Sequence, residues 1–342
     1  KEYFEITASL NDSNGLLFLG EIYKEGKAVR PNYLKAKEYY ELSSKLNNSE
    51  AIYQIGLLYC LGKGVKQNYK KGIEYFELSA THGNANALHD LGSIYLNGYG
   101  VDHNYLTAKK YFELAAEQNH PKSLYNLGYF YYFGVEVEID YSKAIKYFEL
   151  SAKYNYSYAL SMLGTIYMDG IGVCKDPYKA KFYFELSAKQ NNSKGFLGLS
   201  YYYSRIEHDN KKKIEYLKKS AKLNNSNAHF LLGSIYCEGK EVEKDYAKAK
   251  KHFELSAWGK DSDALFELGN LYLNGQGVEK DYKNAKYYYE LSANLYNPEC
   301  LFYLGTYYSV GDVFDVDIPK AIKYFEKCCE NHYGKALIYN HI

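Results

Sequence analysis

The chain has 342 residues, 46% of them hydrophobic, with 42 Lys and Arg against 41 Asp and Glu and a net charge of +1. That hydrophobic share excludes a disordered chain, and the balanced charge provides no overall field to draw nucleic acid or an anionic membrane surface. No apolar run is long enough to insert into a membrane.

Read from the N-terminus, glycines that follow Leu or Ile recur at Gly20, Gly56, Gly92, Gly128 and Gly164, and again at Gly233, Gly269 and Gly305, at an interval of 36. The step from Gly164 to Gly233 is 69, three short of two periods, and Ser200 holds the skipped position. A period of this length marks an array of helical repeats, which grows along one axis and need not divide into domains as its length increases. Nine repeats fit, with a partial repeat at each end, so residues 1–342 read as one repeat domain. The shortened repeat covers about 195–227, and its missing residues fall between Tyr203 and Leu217. Because the chain opens at Lys1 inside a repeat, it reads as a fragment.

Each repeat contains two apolar stripes. Ala87, Leu88, Leu91, Gly92 and Tyr95 share one helical face, helix A. Ala108, Tyr111, Phe112 and Ala115 share a second, helix B. Helices of roughly 10–14 residues are expected. Gly inside a helix costs ~1 kcal/mol against Ala, so its recurrence predicts a close approach of two helices there. The A–B turn reads Gly-x-Gly-Val in Gly62–Val65, Gly98–Val101, Gly170–Val173 and Gly275–Val278. Its first Gly suits the left-handed position that ends a helix, and Val covers the turn. No third Gly, Lys-Ser/Thr or preceding strand accompanies it, so it is not a phosphate cradle.

The B–A turn carries Gly83 or, in the same place, Asn11, Asn47, Asn119, Asn155, Asn191 and Asn224, all expected in the left-handed conformation. Ser13, Ser49, Ser157, Ser193 and Ser226 follow two residues later and are expected to be N-caps of the next helix A. The Asn-x-Ser sequons so formed are read as paired caps, not as glycosylation acceptors. Tyrosine is the outlier of the composition, with 43 residues, and suits half-buried walls where its hydroxyl finds a partner.

Cys60, Cys174, Cys237, Cys300, Cys328 and Cys329 do not recur with the repeats and form no Cys-x-x-Cys. Free thiols and a reducing, cytoplasmic setting follow. The nine histidines occupy scattered repeat positions, from His82 to His332 and His341, and no metal or cofactor is expected. Gly-x-Ser-x-Gly and Ser-x-x-Lys are absent, and no enzymatic activity is expected. Glu77 and Glu113 read as parts of a solvated, ion-paired face of helix B. Lys211, Lys212, Lys213, Lys218 and Lys219 form the notable basic cluster and read likewise as a solvated face.

The unit seen in Ala264–Val278 and Asp281–Ala293 resembles the Sel-1-like repeat, a relative of the tetratricopeptide repeat, and the resemblance covers essentially the whole chain. It implies an all-α fold: a right-handed α-solenoid superhelix of about nine antiparallel helix pairs, with the A helices on the concave side. Members of the family serve as adaptors in endoplasmic-reticulum quality control, in signalling and in bacterial contact with host cells. Some bacterial relatives carry a disulfide in each repeat, a pattern missing here. The expected function is a protein–protein interaction scaffold that binds a peptide or partner protein in the concave groove. The alternative is a repeat domain tethered to an enzymatic or membrane region outside this chain. Groove contacts are expected from helix-A positions outside the packing stripe: three before the Gly, one after it, and one after the Tyr. His89, Tyr125, Tyr129, Tyr132, Tyr201, Phe266 and Asn270 are the candidates. Rings at these positions either anchor a ligand or pack between neighbouring A helices.

Overall fold

The computed structural model describes residues 12–27 and 29–338, with side chains as far as Glu330. Asn11 and His341 lie outside the described residues, and so does the side chain of His332. Eighteen α-helices and no strand occur among the described residues. The chain divides into two compact units, 1–154 and 155–342. In the first, α1 (Ser13–Glu25) pairs with α2 (Tyr33–Ser44), α3 (Ser49–Leu61) with α4 (Tyr69–Thr81), α5 (Ala85–Asn97) with α6 (Tyr105–Glu117), and α7 (Pro121–Phe133) with α8 (Tyr141–Lys153). In the second, the pairs are α9 (Ser157–Asp169) with α10 (Pro177–Lys189), α11 (Ser193–Arg205) with α12 (Asn210–Lys222), and α13 (Ser226–Glu238) with α14 (Tyr246–Ala257). The pairs α15 (Ser262–Asn274) with α16 (Tyr282–Asn294) and α17 (Pro298–Val310) with α18 (Ile318–Ile338) complete it. Odd-numbered helices are the A helices of the repeats and even-numbered ones the B helices.

Helix ends follow local chemistry. Gly62 ends α3 at φ 66°, a left-handed conformation that costs Gly nothing. Gly64, at φ 71°, has a second reason to lack a side chain, since a Cβ there would stand 2.6 Å from the Cβ of Tyr33 on the preceding helix B. The B–A turns behave as expected, with Asn47, Asn119, Asn155, Asn191 and Asn224 at φ 55–59° and Gly83 at φ 80°. The serines expected to cap the A helices do not. The cap is the residue before each of them: Asn48, Asn192 and Asn225 accept backbone N–H bonds, and Ser49, Ser193 and Ser226 are already the first helical residues. The left-handed residue leaves only one position before the helix begins, and the cap must occupy it. The cap asparagines also tie repeats together, as when Asn84 Nδ2 donates to Glu50 Oε2 at 3.0 Å.

Packing within a repeat is ring against glycine. A Cβ on Gly92 would stand 2.6 Å from the Phe112 ring, and the same geometry joins Gly56 to Phe76, Gly128 to Phe148 and Gly233 to Phe253. The glycine thus admits a buried aromatic of helix B to the backbone of helix A, and the dispersion gained offsets its low helix propensity. The shortened repeat changes both partners together. Ser200 replaces the glycine and Leu217, fully buried, replaces the ring. The shortening itself lies in the turn, which runs 206–209 in place of the seven residues 62–68. In a double-mutant cycle, Gly92→Ser alone is expected to cost ~1–3 kcal/mol by overpacking. Combined with Phe112→Leu it should cost less than the sum of the two singles by ~1 kcal/mol. Additive urea-unfolding free energies would show that Ser200 and Leu217 do not compensate one another.

A hydrogen bond overlooked at the level of sequence recurs beside this contact. Ser79 Oγ on α4 donates to the Ser49 carbonyl at 2.7 Å, and Ser43, Ser151, Ser187, Ser220, Ser256 and Ser292 make the same bond to the first residue of their own helix A. All seven serines are fully buried. Each hydroxyl therefore enters the core with its donor satisfied.

The tyrosine excess has a structural account as well. In each repeat the helix-A Tyr stacks nearly parallel on a helix-B ring. Examples are Tyr59 on Tyr75 (5.7 Å, 6°), Tyr131 on Tyr147 (5.7 Å, 9°) and Tyr203 on Tyr216 (5.3 Å, 6°). A lysine from helix B often caps the stack, with Lys179 Nζ 4.0 Å from the Tyr167 ring centre and Lys320 4.4 Å from that of Tyr308. At the C-terminal end α18 continues to Ile338.

Candidate protein-binding groove

The candidate residues lie on the A helices, and the structure separates them by how much each gives to internal packing. The position three before the glycine faces the same helix-B ring that the glycine admits, because residues three apart share a helical face. Tyr125 lies 5.6 Å from Phe148, and Phe266 lies 5.7 Å from Tyr289 and 5.5 Å from Tyr303. At 7% exposure Phe266 is a core ring with little surface to offer a ligand. Asn270 accepts the Tyr289 hydroxyl at 2.7 Å and donates to Glu267 at 3.3 Å, so it serves the same core.

His89 rests on Phe112 at 5.6 Å and on His120 at 4.7 Å, and its Nδ1 is 3.0 Å from Ser123 Oγ. Burial pushes its pKa down to about 3, helped by the charges of His120 and Lys122, and burial takes His120 itself to about 4. The second unit holds a parallel pair, His229 Nδ1 and His252 Nδ1 at 2.9 Å, where burial lowers His252 to about 4, helped by the charges of His229, Lys251 and Lys218. These imidazoles fold neutral, while an unfolded chain protonates them below the ordinary value of 6.5. The unfolded state therefore binds more protons between about pH 6.5 and 4, and their share of stability, complete above that window, is lost as pH falls through it. The double variant His89→Phe/His252→Phe should show a shallower fall of melting temperature between pH 6.5 and 5 than the parent. Equal slopes would refute the assignment.

Tyr129, Tyr132 and Tyr201 are half-buried. Tyr129 leans on Phe133 at 4.3 Å, Tyr132 on Tyr141 at 5.4 Å, and the Arg205 guanidinium sits 5.5 Å from the Tyr201 ring centre. These rings keep part of their surface exposed, where Phe266 is buried. The first three candidates of the tyrosine set, Tyr125, Tyr129 and Tyr132, lie together on α7 in the first unit. Tyr201, Phe266 and Asn270 lie on α11 and α15 in the second.

Three of the five lysines in the basic cluster have local partners. Lys213 pairs with Glu241 at 2.7 Å, Lys219 with Glu215 at 2.7 Å, and Lys212 lies 4.6 Å from the Tyr203 ring centre. Glu113 pairs with Lys109 at 2.9 Å on α6. All six cysteines are free thiols. Burial raises Cys60 to about 11 and Cys300 to about 12, so neither is a thiolate at neutral pH. Among the described residues no helix is long and apolar enough to cross a membrane.

The Sel1 repeat model matches residues 13–48, 49–84, 85–120, 121–153, 157–192, 196–225, 226–257, 262–297 and 298–333. No curated protein matches the chain. Among solved structures, a Sel1 repeat protein from Oxalobacter formigenes is 30% identical with a TM-score of 0.65, over 70% of this chain and 96% of its own. The protein c5321, a protective antigen present in uropathogenic Escherichia coli strains and displaying an SLR fold, is 27% identical with a TM-score of 0.52, over 96% of this chain and 79% of its own.

Proposed function

The chain belongs to the Sel1 repeat family, and from that membership we propose that it is a non-enzymatic scaffold holding a peptide or partner protein along the face lined by its A helices. Sel1 repeat proteins are in general protein-interaction scaffolds. The observations that carry the finer reading are half-buried tyrosines on A helices, Tyr129 and Tyr132 on α7 in the first unit and Tyr201 on α11 in the second. Tyr presents a large contact area and a hydroxyl at low entropic cost, which suits it to anchor a ligand. The B helices present Lys and Glu in local pairs such as Lys109–Glu113, a surface that binds water well and partners weakly.

Site-specific photo-crosslinking tests the face. A benzophenone amino acid placed at Ser93 on α5 should yield a discrete adduct with a protein partner, and the same group at Lys110 on α6 should not. Adducts from Lys110 alone would assign binding to the opposite helices.

A further inference from the structure

In the second unit α9, α10, α11 and α13 line a half-open cavity of about 420 Å³. Its location follows from a departure from the repeat pattern. Three before the glycine, Tyr53, His89, Tyr125, Phe230, Phe266 and Phe302 each place a ring 5.4–6.0 Å from the helix-B ring of their own repeat. The two consecutive A helices α9 and α11 carry Ser161 and Leu197 there instead. Gly198, one residue further along α11, lies so close to the Phe184 ring that a Cβ would overlap it. The ring that six other repeats place here is missing from two neighbours at once, and a hollow lined by Met162, Met168, Phe184 and Leu197 remains.

The rim is cationic. Lys194 and Arg205 both line the cavity, against a single carboxylate, Asp169, whose Oδ1 is 3.5 Å from Arg205. Lys194 Nζ sits 5.7 Å from the Tyr158 ring centre and the Arg205 guanidinium 5.5 Å from that of Tyr201, so each cation lies beside a ring. An apolar floor beneath two cations complements an apolar side chain with a carboxylate beside it.

We propose that this cavity is the anchor site of the A-helix face, taking an apolar side chain of a peptide whose adjacent residue is Asp or Glu. The proposal rests on the scaffold reading above and adds to it a location and a ligand chemistry.

The test uses a displayed library of random heptapeptides selected on the purified chain. Enriched sequences should place Leu, Ile, Met or Phe next to Asp or Glu. A fluorescein-labelled peptide of the enriched sequence should bind about tenfold or more weakly to Ser161→Phe, which restores the ring found in six other repeats and fills the hollow. It should bind similarly weakly to Arg205→Glu, and rising salt should weaken its binding to the parent. Helical circular dichroism should be unchanged. If Ser161→Phe does not fold, Thr165→Tyr, which puts a ring where Tyr129 and Tyr201 stand in their repeats, is the second filling variant. Enriched peptides that bind all three variants as they bind the parent overturn the cavity assignment. In that case, loss of binding by Tyr129→Ala preserves the A-helix face without the cavity, and its retention removes both. A library that yields no enrichment over bare resin also overturns the proposal.

Discussion

Phe76→Ala is expected to destabilise the first unit by ~3–5 kcal/mol, as removal of a fully buried aromatic does. Phe76 is 1% exposed, and its ring lies where a Cβ on Gly56 would stand 2.6 Å away, with Tyr53 at 5.4 Å. Glycine is what makes the loss large. A side chain at position 56 could relax into the vacated space, but a bare helical backbone cannot, so most of the cavity persists. In a repeat array each unit draws its stability from its neighbours as well, so the loss should spread to the adjoining helix pairs. Urea unfolding followed by circular dichroism measures it. A midpoint equal to that of the parent would show that Phe76 contributes nothing to the core.

Tyr129→Ala should weaken partner binding by ~2 kcal/mol, about thirtyfold. Tyr129 stands one residue after Gly128 on α7, half-buried and flanked by Phe133 at 4.3 Å, so truncation removes contact area from the surface and leaves the Gly128–Phe148 contact intact. Only a small loss of stability should accompany it. Lys110→Ala, at an exposed position on α6, is the control and should bind as the parent does. Normal binding by Tyr129→Ala together with lost binding by Lys110→Ala would refute the A-helix face.

Much of this molecule was legible in its sequence because a repeat writes the same physical constraint nine times. The period, the two helical stripes, the left-handed asparagines and the three-residue shortening near Ser200 all reflect interactions within a few turns of chain. Interactions of that range leave a spacing that can be read without knowing what packs on what. The recurring glycine told of a close approach, though the partner was not readable. Which ring enters, and that Leu217 shrinks where Ser200 grows, depends on helix B folding back against helix A.

Tertiary packing also set how much of each candidate site residue stays exposed. The stripe of helix A looked complete without the position three before the glycine, and so Tyr125, His89 and Phe266 looked available for a ligand. Folding brings a bulky ring to the glycine, and that ring is wide enough to reach the next turn of helix A, where it packs on all three side chains, of which Phe266 is buried. The misplaced caps have a similar origin. Asn and Ser both suit the first position of a helix, and only the backbone path shows that Asn48 occupies it while Ser49 has already entered the helix. The cavity between α9 and α11 lay furthest from the sequence. It is an absence shared by two neighbouring helices, and it takes shape only once Ser161, Leu197 and Gly198 are set around one ring.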